Sequence, residues 1–157
     1  AAMSLAREAL AAARLAGDAG ETAWALQLLG IERHAAGDLT GAVAAYEEAL
    51  AIFRGAGGRW GEVDTMERLA RTTRALGEPR RAAALYGQAL SLRSDVGGVG
   101  GMHSELIGLA DLALEAGQPE SAALLLGAAD AFDARLGYAP FRQRPTVKDH
   151  TQAAIRR

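Results

Sequence analysis

The stretch LGEPRRAAALYGQAL, Leu76 to Leu90, has two companions in the chain: AGDLTGAVAAYEEAL forty residues earlier and AGQPESAALLLGAAD forty residues later. Registered on Gly37, Gly77 and Gly117, the three copies fall into columns. Eight residues before the glycine stand Leu29, Leu69 and Leu109; seven before it, Gly30, Ala70 and Ala110. Five after it stand Ala42, Ala82 and Ala122; nine after, Tyr46, Tyr86 and Leu126; twelve after, Ala49, Ala89 and Ala129. Small residues let two helix backbones approach, and large ones fill the groove beside the crossing. A chain that writes the same holes and knobs at a fixed interval must stack like units, each docked on itself and on the next.

Helical periodicity runs between the glycine-containing breaks, and no segment alternates as a strand does, so the class is all-α. Helices are expected near 2–16, 21–36, 39–55, 60–76, 79–95, 102–116, 119–136 and 146–157, about eight in all. The breaks are expected to be of two kinds. Gly37, Gly77 and Gly117 make tight turns in a left-handed conformation, followed by Asp38 as a cap or by Pro79 and Pro119 at a first helical position. The glycine-rich stretches 55–59 and 97–101 read as longer connections between hairpins of about forty residues.

Bulk properties agree. With 157 residues, one domain is expected. Hydrophobic residues make up 50% but aromatics only 5%, a composition that suits closely packed, alanine-rich helices. A formal net charge of −2 supplies no field toward nucleic acid or an anionic membrane. The absence of cysteine excludes disulfides and thiolate chemistry. No uncharged apolar run reaches the roughly 18 residues that a spanning helix needs. Arg7, Glu8 and Arg14 interrupt the alanine-rich start, unlike a signal peptide, so a cytoplasmic location is expected. Both ends read as helical, which suggests a piece of a longer protein.

The columns resemble the tetratricopeptide repeat, with Leu-Gly/Ala in the first helix and Ala, aromatic, Ala in the second. The unit here is about 40 residues rather than the usual ~34 and lacks the closing proline. The resemblance implies a right-handed α-solenoid. In it, 1–20 is the trailing helix of a preceding repeat; 21–58, 59–98 and 99–137 are three repeats; and 138–157 is a linker with a final helix. Long-helix units of this kind, together with the stretch ESAALLLGAADAFDARLGYAPFRQRP, resemble the C-terminal repeat regions of bacterial signalling ATPase regulators of the LuxR and MalT type.

Chemistry is sparse by contrast. GGVGG at 97–101 lacks the Lys-Ser/Thr and the preceding strand of a phosphate loop. His34, His103 and His150 lie far apart with no partner at metal spacing, and no serine sits in a nucleophile motif. Glu47 and Glu48 fall on an outer helix face. Arg142, Arg144, Lys148, Arg156 and Arg157 make a basic tail without the breadth or the aromatics of a nucleic-acid surface. No catalysis, metal or cofactor is expected, nor direct contact with nucleic acid or a membrane.

Interaction surfaces remain. The family resemblance implies that the first helix of each hairpin lines a concave groove. This would place Trp24, Gln27, Ile31 and His34 there from the first hairpin, Asp64, Glu67, Arg71 and Arg74 from the second, and Ser104, Ile107, Asp111 and Leu114 from the third. Arg71 and Arg74 could grip carboxylates with their guanidinium forks, while the plainer reading is a solvated face with Glu67–Arg71 as an i,i+4 pair. The expected function is a protein, peptide or inducer-binding segment of a transcriptional regulator. The alternatives are a self-association module, dimerising through an end helix, and an accessory domain of a signalling enzyme such as a nucleotide cyclase.

Overall fold

A glycine follows every helix end in the structure, a computed structural model that describes residues 2–97 and 102–137. The seven helices of these residues are α1 (Ala2–Ala16), α2 (Ala19–Ala35), α3 (Leu39–Ala56), α4 (Arg59–Ala75), α5 (Pro79–Asp95), α6 (Met102–Glu115) and α7 (Pro119–Arg135). The glycines that follow them are Gly17, Gly37, Gly57, Gly77, Gly97, Gly117 and Gly137, all with φ between 67° and 82°. A side chain is strained there, which is why glycine occupies the position. The hydrogen bonds repeat as well. Gly37 N–H donates to His34 O and Asp38 N–H to Arg33 O; Gly57 and Gly58 bond Arg54 O and Phe53 O in the same way, as do Gly77 and Glu78 with Arg74 O and Thr73 O.

This corrects the expectation of a longer connection at 55–59, while the one expected at 97–101 lies largely outside the described residues. Gly57 closes α3 with the same turn as Gly37, and α4 begins at Arg59, so 55–59 is no longer a connection than the others. Gly55 lies inside α3 and only Gly57 makes the turn. At the starts, Asp18 accepts from Glu21 N–H and Asp38 from Gly41 N–H, each at 2.9 Å, which satisfies an orphan donor of α2 and of α3. Pro79 and Pro119 open α5 and α7, where a missing N–H costs nothing. The expected helix at 146–157 and the segment 138–157 lie outside the described residues.

The chain divides into two compact units, Ala1–Leu92 and Arg93–Arg157. In the first, α1 packs on α2, α2 on α3, and α3 on α4. The column residues fill the crossings: Ala42, Ala49, Ala70, Ala82 and Ala89 are fully buried, with Tyr46 and Tyr86 beside them. The Tyr46 ring lies on Gly30, where the later copies carry alanine; a Cβ there would meet Tyr46 Cε1 at 2.5 Å. Glu47 and Glu48 are exposed and ion-paired, Glu48 to Arg14 of α1 and Glu47 to Arg81 of α5. In the second unit α6 packs on α7 through Ala110, Ala122, Leu126 and Ala129.

Candidate functional site

Two hydrogen-bonded rungs tie α2 to α4. Gln27 Nε2 donates to Thr65 Oγ1 at 3.0 Å, and His34 Nδ1 lies 2.8 Å from Thr72 Oγ1. Each hydroxyl is itself spent on its own helix, Thr65 donating to Gly61 O and Thr72 to Arg68 O. The Thr72 oxygen therefore accepts from His34, which places the ring proton on Nδ1 and leaves Nε2 as the acceptor of the neutral ring. Both rungs join residue i of α2 to residue i+38 of α4, and they are seven residues apart. The two helices therefore run parallel in a fixed register.

Beside the second rung a cavity of about 170 Å³ opens, walled by Ile31, His34 and Ala35 of α2, Tyr46 of α3, and Arg68 and Arg71 of α4. Arg68 is anchored, its Nε donating to Asp64 Oδ2 at 3.0 Å. Arg71 is exposed, and among the described residues no carboxylate lies within ion-pair distance of it. Burial pushes the Tyr46 phenol above its ordinary value of 10.0, while the charges of Arg68 and Arg71 pull the other way and Asp64 adds to the rise. The phenol is thus neutral at physiological pH. The cavity offers two guanidinium groups and a phenol hydroxyl as donors against an apolar wall, a set suited to a carboxylate or another small anion.

The residues expected to line a groove divide accordingly. Ile31, His34 and Arg71 meet at the cavity. Trp24 lies further along α2, edge-on to Phe53 with ring centroids 4.9 Å apart, yet 46% exposed. Gln27 is a correction: at 5% exposure it is a buried rung, because Thr65 takes its amide, and no ligand reaches it. Glu67 and Arg74 are half-buried on α4, each with a polar contact of its own, and neither walls the cavity. The i,i+4 ion pair found on α4 is Asp64–Arg68 rather than the expected Glu67–Arg71. Asp111 is half-buried on α6, in the second unit, and also engaged. Tyr46 and Arg68 were not among the residues expected to line a groove; Tyr46 belonged to a packing column.

In the second unit Ser104 Oγ lies 3.4 Å from His103 Nε2, and His103 Nδ1 3.8 Å from Asp133 Oδ1. Both spacings exceed the roughly 2.6–3.2 Å over which a proton is handed on. Among the described residues no three His, Cys, Asp or Glu side chains gather as metal ligands, and no helix is long and apolar enough to cross a membrane.

Residues 33–95 match the tetratricopeptide repeat family model. Among solved structures, BtubC (BKLC) from P. vanneervenii aligns with 87% of this chain at TM-score 0.74 and 21% identity, and the chain spans 57% of its length. A kinesin-light-chain-like protein of Podosopora anserina with nearly identical TPR-like repeats aligns with 85% of the chain at TM-score 0.70 and 19% identity, with 66% of its own length covered. A variant of that protein aligns with 97% of the chain at TM-score 0.72 and 18% identity, over 71% of its own length. At such identities the likeness is one of fold. Curated proteins yield no match. The described helices, the family match and these neighbours together support the tetratricopeptide-repeat reading of the chain, carried by an all-α helical-repeat fold.

Proposed function

We propose that the chain is an interaction module that receives an acidic segment of a protein partner at the cavity between α2, α3 and α4. The observation that carries this reading is the exposed Arg71 beside Arg68, His34 and Tyr46 in one cavity. A carboxylate entering it meets charge-assisted donors on one side and Ile31 and Ala35 on the other. The match to a repeat family whose members bind proteins supports it too. The setting we propose is a bacterial transcriptional regulator, supported by the resemblance of residues 120–145 to the end of such repeat regions.

Panning a displayed peptide library on the protein tests the site. Acidic sequences should be enriched, and Arg71→Glu should abolish their binding while leaving the melting temperature nearly unchanged, since an exposed charge contributes little to folding. Peptides that survive the reversal, or no enrichment at all, would overturn the reading.

A further inference from the structure

The helix α2 is apolar on two faces. Leu26 and Leu29 belong to the core. Trp24, Leu28 and Ile31 follow at i, i+4 and i+7, the spacing of a single stripe along a helix. Trp24 is 46% and Leu28 43% exposed, and the stripe runs into the cavity at Ile31. At the matching positions forty residues on, α4 carries Asp64, Arg68 and Arg71. The Gln27–Thr65 and His34–Thr72 rungs hold these two helices in parallel register. An apolar rail therefore lies beside a charged rail whose one carboxylate is already bonded to Arg68, leaving a net positive edge.

We propose that the partner segment is an amphipathic helix laid along α2, with large apolar residues at i, i+4 and i+7 against Trp24, Leu28 and Ile31 and acidic residues on the flank facing Arg68 and Arg71. This rests on the proposed function and names the conformation and pattern of the segment bound. Trp24 to Ile31 covers about 10 Å, two turns of helix. Over that length a helix presents a matching stripe to the rail, whereas an extended segment turns alternate side chains away. Charge selects the partner. A second copy packed with its α2 antiparallel on this one would set arginine rail against arginine rail, which the like charges disfavour. An acidic flank meets no such penalty.

The test uses synthetic peptides and the folded chain. One peptide carries Leu at i, i+4 and i+7 with Glu along one flank; a second has the same composition with the leucine spacing scrambled; a third has Lys in place of Glu. Calorimetry gives affinities, and Trp24 fluorescence in a Trp60→Phe background reports contact with the rail. The first peptide should bind at least about tenfold tighter than the scrambled one and shift Trp24 emission to shorter wavelength. Leu28→Ser should weaken it about tenfold. Arg71→Glu should lose the Glu peptide and gain the Lys peptide. Circular dichroism of both variants should match the parent. Equal binding of the first two peptides would overturn the helix while leaving the acidic site standing, provided Arg71→Glu still abolishes both. Failure of all three peptides would overturn it as well, as would a concentration-dependent dimer that Leu28→Ser dissolves, because the rail would then serve a second copy.

Discussion

Where α3 turns into α4, Phe53 lies against Gly61 with Trp24 edge-on to its ring; forty residues later, at the matching position of α5, stands Arg93, whose Nε donates to Glu105 Oε1 of α6 at 2.8 Å. Around them the other positions have changed places. The first region carries an ion pair outside, Arg54 to Glu62 at 2.8 Å. The second has Ser94 and Met102 at those positions, and Met102 is buried. One joint thus puts its apolar residue inside and its charges outside, and the other has a charge pair inside with Glu105 at 0% exposure. The difference is one of self-sufficiency. A buried phenyl ring needs only neighbours of the right shape. A buried guanidinium needs its carboxylate, because desolvating either charge alone costs several kcal/mol. Even paired, Glu105 Oε2 accepts no hydrogen bond among the described residues.

The largest effect should come from Phe53→Ala, which empties a site lined by Trp24, Gly58 and Gly61. We expect a loss of about 4 kcal/mol in urea melts; a loss below about 1 would show that the first joint does not depend on its ring. Next, Glu105→Leu should cost about 3 kcal/mol by removing the buried carboxylate to which Arg93 Nε donates, and adding Arg93→Met should recover most of it. If the double variant is no better than the single, the second joint is not a matter of paired charge. Gly61→Ala comes third. Its Cβ would lie 2.4 Å from Phe53 Cε1, so overpacking of about 2 kcal/mol should outweigh the gain of up to about 1 from helix propensity. A neutral result would mean that the Phe53 ring can step aside. The smallest is Arg54→Ala, where the outer pair should contribute about 0.5 kcal/mol and fade in high salt. A loss of several kcal/mol there would erase the distinction between the two joints.

The helices were readable in the sequence because glycine and alanine carry out their tasks without help from distant residues: a left-handed turn needs a glycine and a close crossing needs a small side chain. Ala82 and Ala122, buried to 0% and 1%, follow from spacing alone. The column holding Phe53 and Arg93 was not readable in that way. Counted from successive turns it runs Ala13, Arg33, Phe53, Thr73, Arg93, Ala113, Asp133, with no common chemistry, because each joint is completed by what the neighbouring helix happens to offer. Gln27 failed for a related reason. Periodicity assigned it a face, but its amide is taken by a threonine 38 residues away.

Because the turn glycines fall at every twentieth residue from Gly17 to Gly137, each helix and its turn consume the same length of chain while the side-chain pattern recurs only every second turn. The backbone thus has half the period of its own packing code. Excising two turns' worth of sequence, from one point in a first helix to the matching point in the next first helix, would leave every remaining hairpin with a proper mate. Excising a single turn's worth would leave the backbone equally regular and the parity wrong. It would bring two helices of the Leu69–Ala70 kind face to face with no Tyr86 to fill the groove between them. A repeat built in this way can lengthen or shorten by whole hairpins, and it carries in its side chains, not its turns, the check against doing so by halves.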